Sequence, residues 1–114
     1  MFYYCTSLTE APVLPATTLV NGCYRYMFYY CTSLVKAPVL PATTLVNNCY
    51  NNMFYGCTSL NYIKAMFTTT PSNSYTSNWV YNVSATGTFV KSSEASWNVT
   101  GVHGVPTGWT IETT

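Results

Sequence analysis

Along residues 45–54 the apolar positions fall into two rows. Leu45, Cys49 and Met53 stand at i, i+4 and i+8, and Val46, Tyr50 and Phe54 form a second row beside them. Two such rows make the broad apolar stripe of a helix that packs on one side. Thr43 and Thr44 offer N-cap hydroxyls ahead of it. Gly56 stands where a left-handed helix terminus is favoured. The equivalent earlier positions hold Tyr4 and Tyr30, which are weaker stop signals. The same pattern predicts a helix over residues 18–29. Residues 34–41, LVKAPVLP, cannot be helical through Pro38 and Pro41. They predict a short extended strand that turns at Pro41. Pro38 has no N–H, so the ladder there is interrupted or the residue lies at an edge.

The pattern recurs along the chain. Residues 1–26 and 27–52 match at 21 of 26 positions, and residues 53–60 match the start of the second copy at seven of eight. The period is set by Met1, Met27 and Met53, and again by Cys5, Cys31 and Cys57. Such a period predicts a solenoid, in which each unit buries its apolar face by stacking on its neighbours. The expected fold is an α/β solenoid of strand–helix units with a 26-residue period. Its strands would stack about 4.8 Å apart. Residues 1–60 form the repeats (1–26, 27–52 and a partial 53–60), and residues 61–114 a degenerate terminal repeat and an irregular C-terminal cap.

In that second part, residues 61–67, 87–91 and 109–112 read as strands. Tyr75, Trp79 and Val83 suggest a short degenerate helix over 75–83. Trp79, Trp97 and Trp109 all lie here. Their first reading is a cover for the last apolar layer; the second is an aromatic platform for sugars. At the other end Met1 stands at the repeat's Met position, which exposes an apolar face. That arrangement suggests a fragment of a longer array with a signal peptide upstream. The alternative is end-to-end self-association through the uncapped N-terminal face.

Composition narrows the function. Charged residues are 6% of the chain, the net charge is +1, and there is no Asp. No basic stripe is available for nucleic acid. No stretch approaches the roughly 20 apolar residues of a membrane-spanning helix. The polar residues are Thr (19), Tyr (11), Asn (10) and Ser (10), which give a neutral surface rich in hydroxyls and amides. The five cysteines occupy only two repeat phases, Cys5/Cys31/Cys57 and Cys23/Cys49. They read as two interior rows of small hydrophobes. An odd count and spacing that merely follows the repeat argue against a disulfide framework. One histidine and no C-x-x-C argue against zinc. His103 has no acid near it in sequence, and Glu10, Glu94 and Glu112 lie far apart. No acid, base and nucleophile can be assembled, so an enzyme is not expected, nor a cofactor or metal.

CTSL, a proline-bearing strand, and then TTL..CY..MF.GC together resemble the BspA-type leucine-rich repeats, named for a Bacteroides surface protein. The resemblance covers residues 1–60 closely, and the GTFVK and GVPTGWT segments resemble the C-terminal end of such arrays. Pro38 and Pro41 depart from the commoner pattern of a single proline. The resemblance implies a right-handed leucine-rich-repeat stack, at the cell surface or secreted, in a gut commensal or its phage. It also implies adhesion to host matrix.

Two exposed rows are the candidate ligand surface. Stacked strands place Glu10, Lys36 and Tyr62 side by side, with Thr9, Val35 and Asn61 next to them, on the side where solenoids commonly bind. Glu10 and Lys36 would make a weak cross-strand pair. The outer face offers Tyr3, Tyr29 and Tyr55, a residue type that gives large contact area at low entropic cost. The expected function is a non-catalytic binding or adhesion module that contacts host protein or glycan. The alternative is a structural spacer in a cell-surface or phage-associated protein.

Overall fold

The computed structural model describes residues 4–14 and 17–114. Three four-residue strands form: β1 (Tyr62–Ala65), β2 (Thr88–Lys91) and β3 (Thr110–Thr113). They make one parallel sheet in the order β1-β2-β3, with Tyr62 opposite Thr88 and Thr88 opposite Thr110. In β1 the inward residues Ile63 and Ala65 are buried and alternate with half-buried Tyr62 and Lys64, as a one-sided strand requires. Parallel bridges carry the same row back to Lys36 and Glu10. The Val35 N–H donates to the Thr9 carbonyl, Asn61 to Val35, Thr88 to Asn61, and Thr110 to Gly87. Five passes of the chain are therefore joined along this side. The strand expected over 34–41 is reduced to bridges at Lys36 and Leu40. Pro38, which has no N–H, lies between them.

No helix forms among the described residues. This overturns the helices expected over 18–29, 45–54 and 75–83, and with them the α/β leucine-rich-repeat solenoid of strand–helix units. The chain is a small globule of 34 × 29 × 23 Å. Turns replace the helices, and the reason is local. Gly22, Tyr26 and Tyr30 have positive φ, as do Asn48, Asn52 and Gly56, so every fourth residue is left-handed. An α-helix cannot contain such residues. The N–H groups of Cys49, Asn51, Met53, Tyr55 and Cys57 return to carbonyls three residues back, at Val46, Asn48, Tyr50, Asn52 and Phe54. The alternate N–H groups of Asn48, Tyr50, Asn52, Phe54 and Gly56 point outward, to the carbonyls of Ser74, Tyr75, Ser77, Trp79 and Tyr81. A helix spends its interior N–H groups on itself. This turn ribbon gives half of them to the next unit.

Between strand side and ribbon lies the core. Leu34, Leu40, Leu60, Ile63, Phe67 and Phe89 have no solvent exposure. Ring stacks run across the units, Phe28 on Phe54 at 5.7 Å and Tyr50 on Trp79 at 5.9 Å. Cys31, Cys49 and Cys57 are buried, Cys5 and Cys23 are half-buried, and all five are free thiols. The C-terminal part covers the last layer. Trp79, Trp97 and Trp109 are buried, and their indole N–H groups donate to the carbonyls of Gly104, Phe67 and Ser84. These rings are core and offer no face to a sugar.

In residues 61–114 the left-handed positions also keep the period, although the strand row steps by 22 residues from Thr88 to Thr110. Tyr4, Tyr30, Gly56, Asn82 and Gly108 are all left-handed, each 26 residues after the last. The expected degenerate helix over 75–83 is instead a third ribbon segment, with left-handed Asn78 and Asn82.

Candidate binding surface

On the ribbon side, the left-handed positions throw neighbouring side chains outward as a cluster. Tyr4 stacks on Tyr30 at 5.4 Å with rings 2° apart. Tyr29 meets Tyr30 edge-on at 4.7 Å and Tyr55 at 5.2 Å. Tyr55 stacks on Tyr81 at 4.7 Å. Tyr26 meets Tyr29 edge-on at 5.3 Å, and the Arg25 guanidinium lies 5.1 Å from the Tyr26 ring centre. Six tyrosines thus form one continuous surface. Tyr4 and Tyr81 are exposed and the other four half-buried. The side-chain hydroxyls of Tyr29, Tyr55 and Tyr81 enter no hydrogen bond among the described residues. Desolvation, then the crowding of phenols, raises the pKa of both Tyr29 and Tyr55. They stay neutral hydrogen-bond donors at ordinary pH.

Gly56 makes room for this cluster. A Cβ there would lie 2.6 Å from Tyr30 Cδ1, and its φ of +77° suits glycine. The sequence reading placed Tyr3, Tyr29 and Tyr55 on this face. Tyr3 lies outside the described residues. Tyr29 and Tyr55 are in contact, joined by Tyr4, Tyr26, Tyr30 and Tyr81, which sequence reasoning missed. Tyr81 is detectable in the sequence, because it stands one period after Tyr55, although the repeated sequence itself ends at Leu60.

On the strand side, Glu10, Lys36 and Tyr62 share one row. The Lys36 ammonium lies 5.0 Å from the Tyr62 ring centre. Beside them a shallow groove of about 270 Å³ separates Ala11–Val13 from Ala37–Val39. Val13 and Val39 are exposed along it. A second hollow, about 190 Å³, is lined by Val80, Val83, Val102 and Pro106, with no charged residue.

Among the described residues, no hydrogen bond joins His103, Cys57, Glu10 or Glu112 to one another. His103 Nδ1 accepts the Asn78 N–H at 3.0 Å, and its carbonyl accepts the Thr76 hydroxyl at 2.6 Å. The imidazole is held as a structural acceptor. Burial pushes the Cys57 thiol up to about 12, with the neighbouring Cys31 adding to the shift. Its Sγ donates to the Phe28 carbonyl at 3.0 Å. Such a thiol is a poor nucleophile. Glu10 and Glu112 are four strand spacings apart, roughly 19 Å at about 4.8 Å each, beyond the reach of a glycosidase pair. Among the described residues no group of His, Cys, Asp or Glu could hold a metal. No family model, curated protein or solved structure matches this chain.

Proposed function

We propose that this chain is a non-catalytic binding module that presents its tyrosine face to a neutral host glycan or protein surface, in a bacterial surface or secreted protein. One observation carries the reading. Tyr4, Tyr26 and Tyr30 adopt left-handed backbone, with φ of 53–59°. That conformation costs a residue with a Cβ about 1–2 kcal/mol. At the same repeat phases other units use Gly56 and Asn82, or Asn52 and Asn78, which tolerate it better. Tyrosine is kept where the backbone disfavours it, and all three rings lie in the surface cluster. Strain held at a surface supports a functional role for the residues that bear it.

The physics of the cluster favours binding. Ring contacts hold the phenols before a ligand arrives, so little side-chain entropy remains to be lost. The hydroxyls of Tyr29, Tyr55 and Tyr81 supply directional hydrogen bonds, and ring faces supply apolar area. The Glu10, Lys36 and Tyr62 row is a smaller, charged second contact. The test is a panel of neutral glycans and extracellular-matrix proteins, screened with the wild type, Tyr29→Ala and Tyr55→Ala. The expected result is a ligand whose affinity falls at least about tenfold in each variant, a loss typical of an interface hot spot. A ligand bound equally by all three would contradict the tyrosine site. No ligand at all would favour the spacer reading.

A further inference from the structure

The two ends of the unit stack differ in the hydrogen-bonding groups they present. At the C-terminal end, the outward N–H groups of Ser74, Thr76, Asn78 and Val80 in the third ribbon segment are occupied, while that of Asn82 enters no hydrogen bond among the described residues. Ser74 donates to Ser72 Oγ, Thr76 to the Ser72 carbonyl, Asn78 to His103 Nδ1 and Val80 to the Val102 carbonyl. From Ser74 to Val80 that donor edge is closed. At the N-terminal end, the ribbon of residues 20–31 sends its alternate N–H groups to the second unit: Gly22 to Asn47, Tyr24 to Cys49 and Tyr26 to Asn51. Its opposite edge carries the carbonyls of Asn21, Cys23 and Arg25. None of these accepts a hydrogen bond among the described residues. The open end is therefore an acceptor edge on its ribbon side.

The side chains at that end tell the same story. Cys5, Leu8, Ala11, Cys23, Tyr24 and Met27 are half-buried. Their equivalents one period later, Cys31, Leu34, Ala37, Cys49, Tyr50 and Met53, are buried. The first unit supplies what the second needs, and lacks the same cover itself.

We propose that the N-terminal face is built to receive one further 26-residue unit of this kind, in the same orientation, and not a second copy of the chain. A ribbon of this kind presents N–H groups at alternate residues, the spacing these carbonyls require, as the second unit's ribbon does toward Ser74, Tyr75 and Ser77. A second copy cannot supply that edge. From Ser74 to Val80 its donor end is closed by Ser72, Val102 and His103, and two N-terminal faces brought ribbon to ribbon would set carbonyls against carbonyls. Apposed acceptors without donors leave buried polar groups unsatisfied.

The experiment fuses a copy of residues 27–52 ahead of Met1 and follows thiol alkylation at each cysteine. In that added unit Asn48, Tyr50 and Asn52 stand one period before Ser74-type partners, in line with Asn21, Cys23 and Arg25. The account expects Cys5 and Cys23 to become at least about tenfold slower to react, as their local opening is suppressed. Cys31, Cys49 and Cys57 should stay protected, and the melting temperature should rise. The same fusion with Asn48→Pro and Asn52→Pro in the added unit should lose the protection of Cys5 and Cys23, since proline has no N–H and cannot be left-handed. Unchanged reactivity of Cys5 and Cys23 in the first fusion would overturn the proposal, as would a fusion in which Cys49 and Cys57 become reactive. Sedimentation of the unfused chain as a dimer with protected Cys5 and Cys23 would also overturn it.

Discussion

The strand side and the ribbon side of the molecule exchange regularity along its length. Over residues 10–40 the strand side makes only single bridges, interrupted at Pro12 and Pro38, while the ribbon segments 20–31 and 46–57 are each unbroken. Over residues 62–113 the strand side becomes a three-stranded sheet, while the third ribbon segment borrows side chains to complete its hydrogen bonds. On the ribbon side the left-handed positions keep the 26-residue step from Tyr4 to Gly108, whereas the strand row steps by 26 from Tyr62 to Thr88 and by 22 from Thr88 to Thr110. The ribbon's register therefore rests on the backbone, and near-identical side chains are not required. Residues 61–114 keep it on the ribbon side, at Asn82 and Gly108, with almost none of the repeat sequence.

The largest expected effect is at the place where the two sides meet. Trp79 is fully buried and touches Tyr50, Phe54, Phe67 and Phe89. Trp79→Ala should destabilise the chain by about 3–5 kcal/mol in denaturant titration. A much smaller loss would mean the ribbon and the sheet fold as separate parts. Gly56→Ala comes next. It adds a Cβ 2.6 Å from Tyr30 at a left-handed residue, and should cost about 2–3 kcal/mol. An equal response from Gly22→Ala, where a Cβ meets nothing within 4 Å, would show that the Tyr30 contact adds nothing to backbone strain.

His103→Ala should leave the Asn78 N–H without its acceptor and cost about 1–3 kcal/mol, if water does not replace the imidazole. The amide exchange of Asn78 reports this directly. Alkali tests the buried cysteine row. Burial keeps the Cys57 thiol protonated in the folded chain up to about 12, whereas the unfolded thiol ionises near its ordinary value of 9.0. The unfolded state then binds fewer protons, so stability falls as pH rises between those limits, by about 1.4 kcal/mol per pH unit for this one group. Cys57→Ala should flatten that part of the stability–pH curve. The smallest effect separates strain from function. Tyr26→Asn installs the residue found at Asn52 and Asn78, and should be neutral or stabilising by less than about 1 kcal/mol. The same variant should weaken ligand binding.

The strand side was legible in the sequence over residues 61–113, but over 34–41 the prolines reduce the expected strand to bridges at Lys36 and Leu40. β1 and β2 lie within the strands expected over 61–67 and 87–91, and the bridges join Glu10, Lys36 and Tyr62 as the period requires. The ribbon was misread for a physical reason. A chain whose backbone repeats every four residues sets Leu45, Cys49 and Met53 on one face, as a helix of 3.6 residues per turn nearly does. Hydrophobic spacing cannot separate the two. The discriminating signal was in the polar residues, with Asn47-Asn48, Asn51-Asn52 and Gly56 placing left-handed formers at every fourth position. Asparagine and glycine are poor helix residues and good left-handed ones. The tyrosine cluster was half legible for the same reason. Tyr29 and Tyr55 follow the period, but Tyr4, Tyr26 and Tyr30 reach the surface through backbone that a helix would not allow.

The most direct measurement is the backbone NMR of residues 46–57, with chemical shifts, φ-dependent couplings and amide exchange read residue by residue. The account predicts left-handed Asn48, Asn52 and Gly56, with the N–H groups of Asn48, Tyr50, Asn52 and Phe54 hydrogen-bonded to residues 74–79. A continuous run of helical shifts, with each N–H bonded four residues back, would contradict it.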